Sequence, residues 1–195
     1  MRTKTPEQSD KMLDAAARLF GRNRFHEVRM EDIAAEAEVG KGTLYRYFAD
    51  KDELYLALLK RASHQYLELV DAAVARAATP RAKLRALVAA GFSFFDDQPH
   101  LAPLIQRAEV THADSPWQPT RDAAMARIVA LLTRARAEGA FSVADPETAA
   151  LMLLGGLRSV HLFGRKPRPR DLADRLVTGW LHGVATPAPA LAAAD

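Results

Sequence analysis

The 195-residue chain carries 27 Lys and Arg against 24 Asp and Glu, for a formal net charge of +3, with 49% hydrophobic and 26% charged residues. That composition excludes a disordered chain, and so small a charge excess excludes nucleic-acid binding by bulk charge alone. No cysteine is present, which removes disulfides, thiolate nucleophiles and zinc–thiolate sites and fits a reducing cytosol. The longest apolar run, TAALMLLGGLRSVHLFG, is broken by Arg158 and His161, and the polar MRTKTPEQSD start lacks the apolar segment of a signal peptide. A soluble, cytoplasmic protein with no membrane partner is expected.

Helical punctuation is legible along the whole chain, and no segment alternates as a half-buried strand does. Thr5-Pro6-Glu7-Gln8 combines an N-cap, a first-turn proline and a capping-box glutamine, after which Met12, Leu13, Ala16, Leu19 and Phe20 share one face. Two short pieces follow, Met30 to Ala37 and Lys41 to Phe48, joined by Glu38-Val39-Gly40 in the manner of a helix-turn-helix. Asp50-Lys51-Asp52-Glu53 reads as a second capping box. It opens a long fourth helix with an apolar stripe from Leu54 through Leu58, Leu59, Ala62, Tyr66, Leu69, Val70, Ala73 and Val74 to Ala77. Further starts are expected at Thr79-Pro80, Pro99-His100, Ser115-Pro116, Asp145-Pro146 and near Pro169, with stops near Gly139, Gly164 and Pro187.

The predicted fold class is therefore all-α with about nine helices. A three-helix helix-turn-helix domain over residues 1–50 is joined by helix 4 to a helical domain over 51–186. A Pro- and Ala-rich tail, 187–195, is expected to be flexible.

The segment GKGTLYRYF, residues 40–48, concentrates three aromatics with Lys41 and Arg46. At 100° per residue Leu44 and Phe48 point inward, into a small core with Ile33, Ala34, Ala37, Val39, Leu19 and Phe20, while Gly42 and Arg46 point outward. Tyr45 and Tyr47 are expected at the rim, their hydroxyls where phosphates lie when a helix enters a major groove. Up to Lys60 the chain holds eleven basic and eleven acidic residues, so nucleic-acid binding rests on placement.

The stretch DIAAEAEVGKGTLYRYFADKDELYLALL closely resembles the DNA-binding domain of the TetR family of bacterial transcriptional regulators, over roughly residues 10–60. The resemblance implies a homodimer of helical subunits, each with a DNA-binding domain and a larger ligand-binding and dimerisation domain. It aligns Lys41, Gly42 and Arg46 with base-reading positions, and Thr43, Tyr45, Tyr47 and Lys51 with phosphate contacts. Three departures stand out. Arg24 replaces a glycine after helix 1, so Asn23 or Arg24 is expected to take a left-handed cap conformation. Glu38 replaces the turn glycine, and Val28-Arg29 replace the usual small hydroxyl cap of helix 2, leaving Arg29 to reach phosphate and Glu31 to accept from a cytosine amine.

Beyond the motif, Phe92, Phe95, Leu104, Gln106, Trp117, Met125, Met152 and His161, with His112, are candidates for lining an apolar effector pocket. Their low charge suggests a neutral or weakly polar, partly aromatic ligand of unknown identity. Leu151, Leu154, Leu157 and Phe163, with Leu172, Leu176, Trp180 and Leu181, are candidates for a two-fold seam that Gly155-Gly156 allows to close tightly. The reading is a ligand-responsive regulator, a repressor on a pseudo-palindromic operator, with partners DNA, a second copy and a small effector, and no cofactor. Two alternatives remain. Glu109-Val110-Thr111-His112 has the Glu-x-x-His spacing of a di-iron half-site, although no second such motif occurs; and a helical adaptor would need neither DNA nor effector. Phosphate-loop, Rossmann and Gly-x-Ser-x-Gly patterns are absent from the sequence.

Overall fold

A computed structural model describes residues 5–111 and 115–184 of the chain. Among the described residues every regular element is a helix: α1 (Pro6–Arg22), α2 (Met30–Glu36), α3 (Lys41–Tyr47), α4 (Lys51–Ala75), α5 (Pro80–Asp97), α6 (Leu101–Thr111), α7 (Gln118–Ala137), α8 (Pro146–Phe163) and α9 (Leu172–Val184). Pro6, Pro80 and Pro146 open α1, α5 and α8 as expected, whereas α6, α7 and α9 start one to three residues beyond Pro99-His100, Ser115-Pro116 and Pro169. Asp145 caps α8 by accepting from the Glu147 amide at 3.0 Å, one residue beyond Pro146. The Pro187 stop and the tail lie outside the described residues.

Two compact units form. The first takes the chain up to Gln65 together with Phe95–Thr120, and the second takes Tyr66–Phe94 together with the chain from Arg121. Helix α4 contributes to the first unit up to Gln65 and to the second from Tyr66, and α6 falls in the first unit with the helix-turn-helix.

In the first unit α1, α2 and α3 close over Met12, Phe20, Ile33, Ala34, Ala37, Leu44 and Phe48, all buried, with Leu19 and Val39 half-buried. Helices of seven residues cannot persist alone, so tertiary contacts hold them. Arg18 pairs with Glu36 at 2.6 Å and Lys11 with Glu38 at 2.8 Å, tying α1 to α2 and to the turn. Glu38 adopts φ +53, the left-handed backbone that a glycine would take without cost.

Several cap expectations are corrected. Asn23 is extended at φ −131 and, among the described residues, Glu38 is the one non-glycine at positive φ. Helix α1 ends instead with the Asn23 amide and its side-chain Nδ2 both donating to Leu19 O, at 2.9 and 3.1 Å. At the start of α2 a guanidinium has no acceptor to offer, so Arg29 cannot cap through its side chain. Asp32 supplies the other half by accepting from the Arg29 amide at 2.9 Å. At α4, Asp50 accepts from the Glu53 amide at 2.7 Å, while Glu53 reaches back to the Ala49 amide at 2.6 Å, one residue earlier than a capping box places it.

In the second unit, Tyr66 and Phe94 meet edge to face with centroids 5.4 Å apart, and Leu84, Leu87, Val88, Ile128, Leu132, Leu153 and Val177 fill the interior. Burial pushes the Tyr66 phenol up to about 12. Gly91 on α5 leaves room for Leu157 of α8, whose Cδ2 would lie 3.5 Å from a methyl at that position.

Candidate nucleic-acid interface

Helix α3 presents Lys41, Gly42, Tyr45 and Arg46 to solvent, with Thr43 half-buried and Leu44 buried beneath them. A side chain at Gly42 would meet nothing within 4 Å, so no contact inside the protein demands a glycine there. The strip is ordered by its own charges. Lys41 Nζ lies 2.5 Å from Glu31 Oε1, and this hydrogen bond raises the ammonium's pKa and lowers the carboxyl's. Glu31 is thereby engaged with Lys41 instead of standing open to a base. Lys41 Nζ also sits 5.8 Å from the Tyr45 ring centroid, and the Arg46 guanidinium 5.8 Å from that of Tyr47. Arg29, exposed at the N-cap of α2, completes a face of three cations and one phenol.

Two predicted contact residues lie elsewhere. Tyr47 is buried, because it stands three residues from Leu44 and shares its inward face. Its hydroxyl accepts from the Thr5 amide at 2.7 Å and donates to Gln8 Oε1 at 3.1 Å, fastening the start of α1 in place of the expected Thr5 side-chain cap. The Lys51 ammonium donates to Phe25 O and Val28 O, both at 2.8 Å, and lies 4.5 Å from the Phe25 ring centroid. Burial, aided by Arg107, lowers its pKa. It closes the loop between α1 and α2 and is not displayed for a phosphate.

Sequence reasoning missed the residues that fix this loop. Phe25 stacks on Phe20 and meets Tyr55 edge-on, with centroids 5.2 Å apart in both pairs, and Arg107 of α6 lies 4.1 Å from the Phe25 centroid. Arg107 also approaches Asp52 at 3.5 Å. Tyr55, whose phenol burial pushes up to about 12, donates to Leu104 O at 2.7 Å. A half-buried Phe after a helix stop was the one available signal. Its partners lie far along the chain.

The predicted effector residues divide between units. Phe95, Leu104, Gln106 and Trp117 belong to the first, and Phe92, Met125, Met152 and His161 to the second. Phe95 and Trp117 pack with centroids 6.1 Å apart; Phe92 lies 5.2 Å beneath the Arg168 guanidinium, which donates to His161 Nδ1 at 3.1 Å. That bond needs the ring's lone pair, and burial lowers the His161 pKa in the same direction. Gln106 and Met152 are exposed and line no interior, which corrects their assignment. Met152, 56% exposed, instead joins Leu151, Leu162 and Phe163 at 61, 43 and 83% on an outward apolar face of α8. Of the seam candidates, Leu157 and Leu181 are buried within their own unit, Leu154, Leu172, Leu176 and Trp180 are half-buried, and Trp180 Nε1 donates to Ala149 O at 3.1 Å. His112 and the side chain of Glu109 lie outside the described residues. Among those described, no three His, Asp or Glu are grouped to hold a metal ion, and no helix is long and apolar enough to cross a membrane.

Residues 12–58 match the family of bacterial regulatory proteins, tetR family. A crystal structure of a TetR-like transcriptional regulator from Rhodococcus sp. RHA1 superposes with a TM-score of 0.75 at 28% identity, covering 93% of this chain and 98% of that one. The match to the tetR family is confined to the N-terminal helices of this chain. The fatty acid metabolism regulator protein of Bacillus subtilis is 29% identical over 106 residues, 54% of either chain, so this chain spans about half the length of that curated relative in the alignment. The regulator FadR from Bacillus subtilis, solved in complex with stearoyl-CoA, shares the fold with a TM-score of 0.75 at 21% identity, over 90% of this chain and 98% of that one. The matched segment runs from within α1 to the first turns of α4, the part that positions the exposed strip of α3.

Proposed function

We propose that this chain is a ligand-responsive transcriptional regulator of the tetR family, a cytoplasmic repressor without enzymatic activity, that binds a pseudo-palindromic operator as a homodimer and is released by a small effector. The observation that carries it is the strip Lys41, Gly42, Tyr45 and Arg46, solvent-facing on a helix whose other side is fully closed. Arg46 is suited to donate two hydrogen bonds to guanine O6 and N7. The missing side chain at Gly42 permits close approach, and Thr43, Tyr45, Lys41 and Arg29 lie to either side for phosphates. Lys51 and Tyr47 support that surface from behind.

The homodimer reading is supported by the face of α8, where Leu151, Met152, Leu162 and Phe163 surround Gly155, at which an added methyl meets nothing within 4 Å. An uncovered apolar patch on a short chain favours a second copy, and a two-fold operator then matches a two-fold protein. For release, the effector must bind the DNA-incompetent arrangement better than the competent one; α4, continuous through both units, is the element that such a ligand would bias. The stearoyl-CoA held by the structural neighbour from Bacillus subtilis favours an effector with an apolar chain.

The test is a gel shift and footprint of the purified protein on the DNA upstream of its own operon. A protected pseudo-palindrome, with half-sites about one helical turn apart, is the expected result. Uniform weak binding to that DNA and to an unrelated duplex would refute the reading and leave a helical adaptor.

A further inference from the structure

Within the second unit, the end of α4, the start of α5 and the outer half of α7 enclose a cleft of about 350 Å³. This lies at the small end of small-molecule sites, which run to about 1,000 Å³, so its ligand is compact. None of the residues that sequence reasoning assigned to an effector lines it. Its walls are mostly apolar, with Val74, Leu87 and Leu131 the largest groups, and Ala130 and Ala135 leaving the space open along α7.

Five charged side chains also line the cleft, and four are spent on one another. Asp71 takes Arg127 bidentately, Nε to Oδ1 and Nη2 to Oδ2, each at 2.6 Å, and Arg127 Nη1 donates to Ala123 O at 3.1 Å. This fork lowers the Asp71 pKa and raises that of Arg127. Arg134 Nε holds Glu138 Oε1 at 2.7 Å. Lys83, half-buried, is the remaining cation and has no acidic partner among the described residues. A cleft with apolar walls and one such ammonium selects one negative charge on an apolar body. A neutral ligand leaves the ammonium unanswered, and a cation is repelled.

We infer that the α4–α5–α7 cleft is a binding site for a small amphipathic monoanion, an aliphatic or aryl carboxylate whose apolar part lies on Val74, Leu87 and Leu131 and whose carboxylate pairs with Lys83. The inference deepens the regulator reading, on which it rests only for the claim that this ligand is the effector. It replaces the neutral ligand that the sequence suggested with a charged one.

The experiment is calorimetric titration of the full chain with octanoate, octan-1-ol and octylamine. Two variants are measured alongside: Lys83→Met, which removes the charge and keeps an apolar stem, and Ala130→Trp, which fills the cleft from an exposed position and so spares folding. Octanoate is expected to bind saturably and at least about tenfold more tightly than octanol, with octylamine weakest. Lys83→Met should erase the octanoate preference while retaining octanol binding, and Ala130→Trp should abolish both. Equal binding of acid and alcohol by the unaltered protein, no saturable binding at all, or a preference that survives both variants would overturn the inference. A gel shift run in parallel separates the two readings. Octanoate binding without any change in operator affinity keeps the cleft and removes it as the effector site. Operator binding without octanoate binding keeps the regulator and removes the cleft.

Discussion

In the first unit, helices of 17, 7 and 7 residues are tied to one another by Arg18–Glu36, Lys11–Glu38, Lys41–Glu31 and Tyr47–Gln8. In the second, α8 alone leaves Leu151, Met152, Leu162 and Phe163 outside. The contrast follows from helix length. A seven-residue helix has no stability of its own, so its position is imposed by caps, ion pairs and a few buried side chains, and almost any change there alters the surface that α3 displays. A helix of 18 residues is set by its own periodicity, and what remains to be specified is what covers its outer face. The first unit is thus determined from within. The second leaves an apolar face uncovered.

The largest expected effect lies in the small core. Phe48 is 5% exposed beneath the exposed face of α3, and Phe48→Ala should destabilise the first unit by about 3–5 kcal/mol, measured by denaturant unfolding. Phe163→Asp on the 83%-exposed end of α8 should leave helicity unchanged yet convert a dimer to monomer by light scattering at micromolar concentration. A shift in helicity for that variant, or an unaltered molar mass, would erase the contrast between the units. Lys51→Ala comes next. It leaves Phe25 O and Val28 O without their donor, so a loss of about 1–3 kcal/mol in stability is expected, with an unchanged salt slope for DNA binding. A slope lowered by about 1 per monomer would return Lys51 to the phosphate backbone.

The smallest effect is a pH dependence. His100 has a buried Nε2 without a hydrogen-bond partner, and burial followed by the charge of Arg61 lowers its pKa. The folded state then binds fewer protons than the unfolded state. Its contribution is present above the unfolded value near about 6.5 and is lost as pH falls below that value. Unfolding midpoints between about pH 7.5 and 5.5 should fall less steeply for His100→Gln than for the unaltered chain.

Helix order and most boundaries were legible because proline, glycine and acidic caps act locally. The outward strip of α3 was legible because 100° per residue separates Arg46 from Leu44. Tyr47 was misread as rim although its spacing from Leu44 already pointed inward; the hydroxyl drew attention outward, and its partners Thr5 and Gln8 are remote in sequence. Nothing local foretold Lys51, since its acceptors are loop carbonyls. Leu157 reads as a seam residue from α8 alone and becomes core only opposite Gly91. The cleft was illegible for the same reason. Asp71 and Arg127 neutralise each other across 56 positions, and that pairing is what singles out Lys83.

The central claim is that α3 reads bases through Arg46 while the residues behind it only support the helix. A salt titration of Arg46→Ala on the selected operator and on a scrambled duplex tests it directly. The account predicts a loss of about 1–3 kcal/mol on the operator, relaxed preference at one base position per half-site, and little change on the scrambled duplex. Equal losses on both duplexes, or none on either, would contradict it.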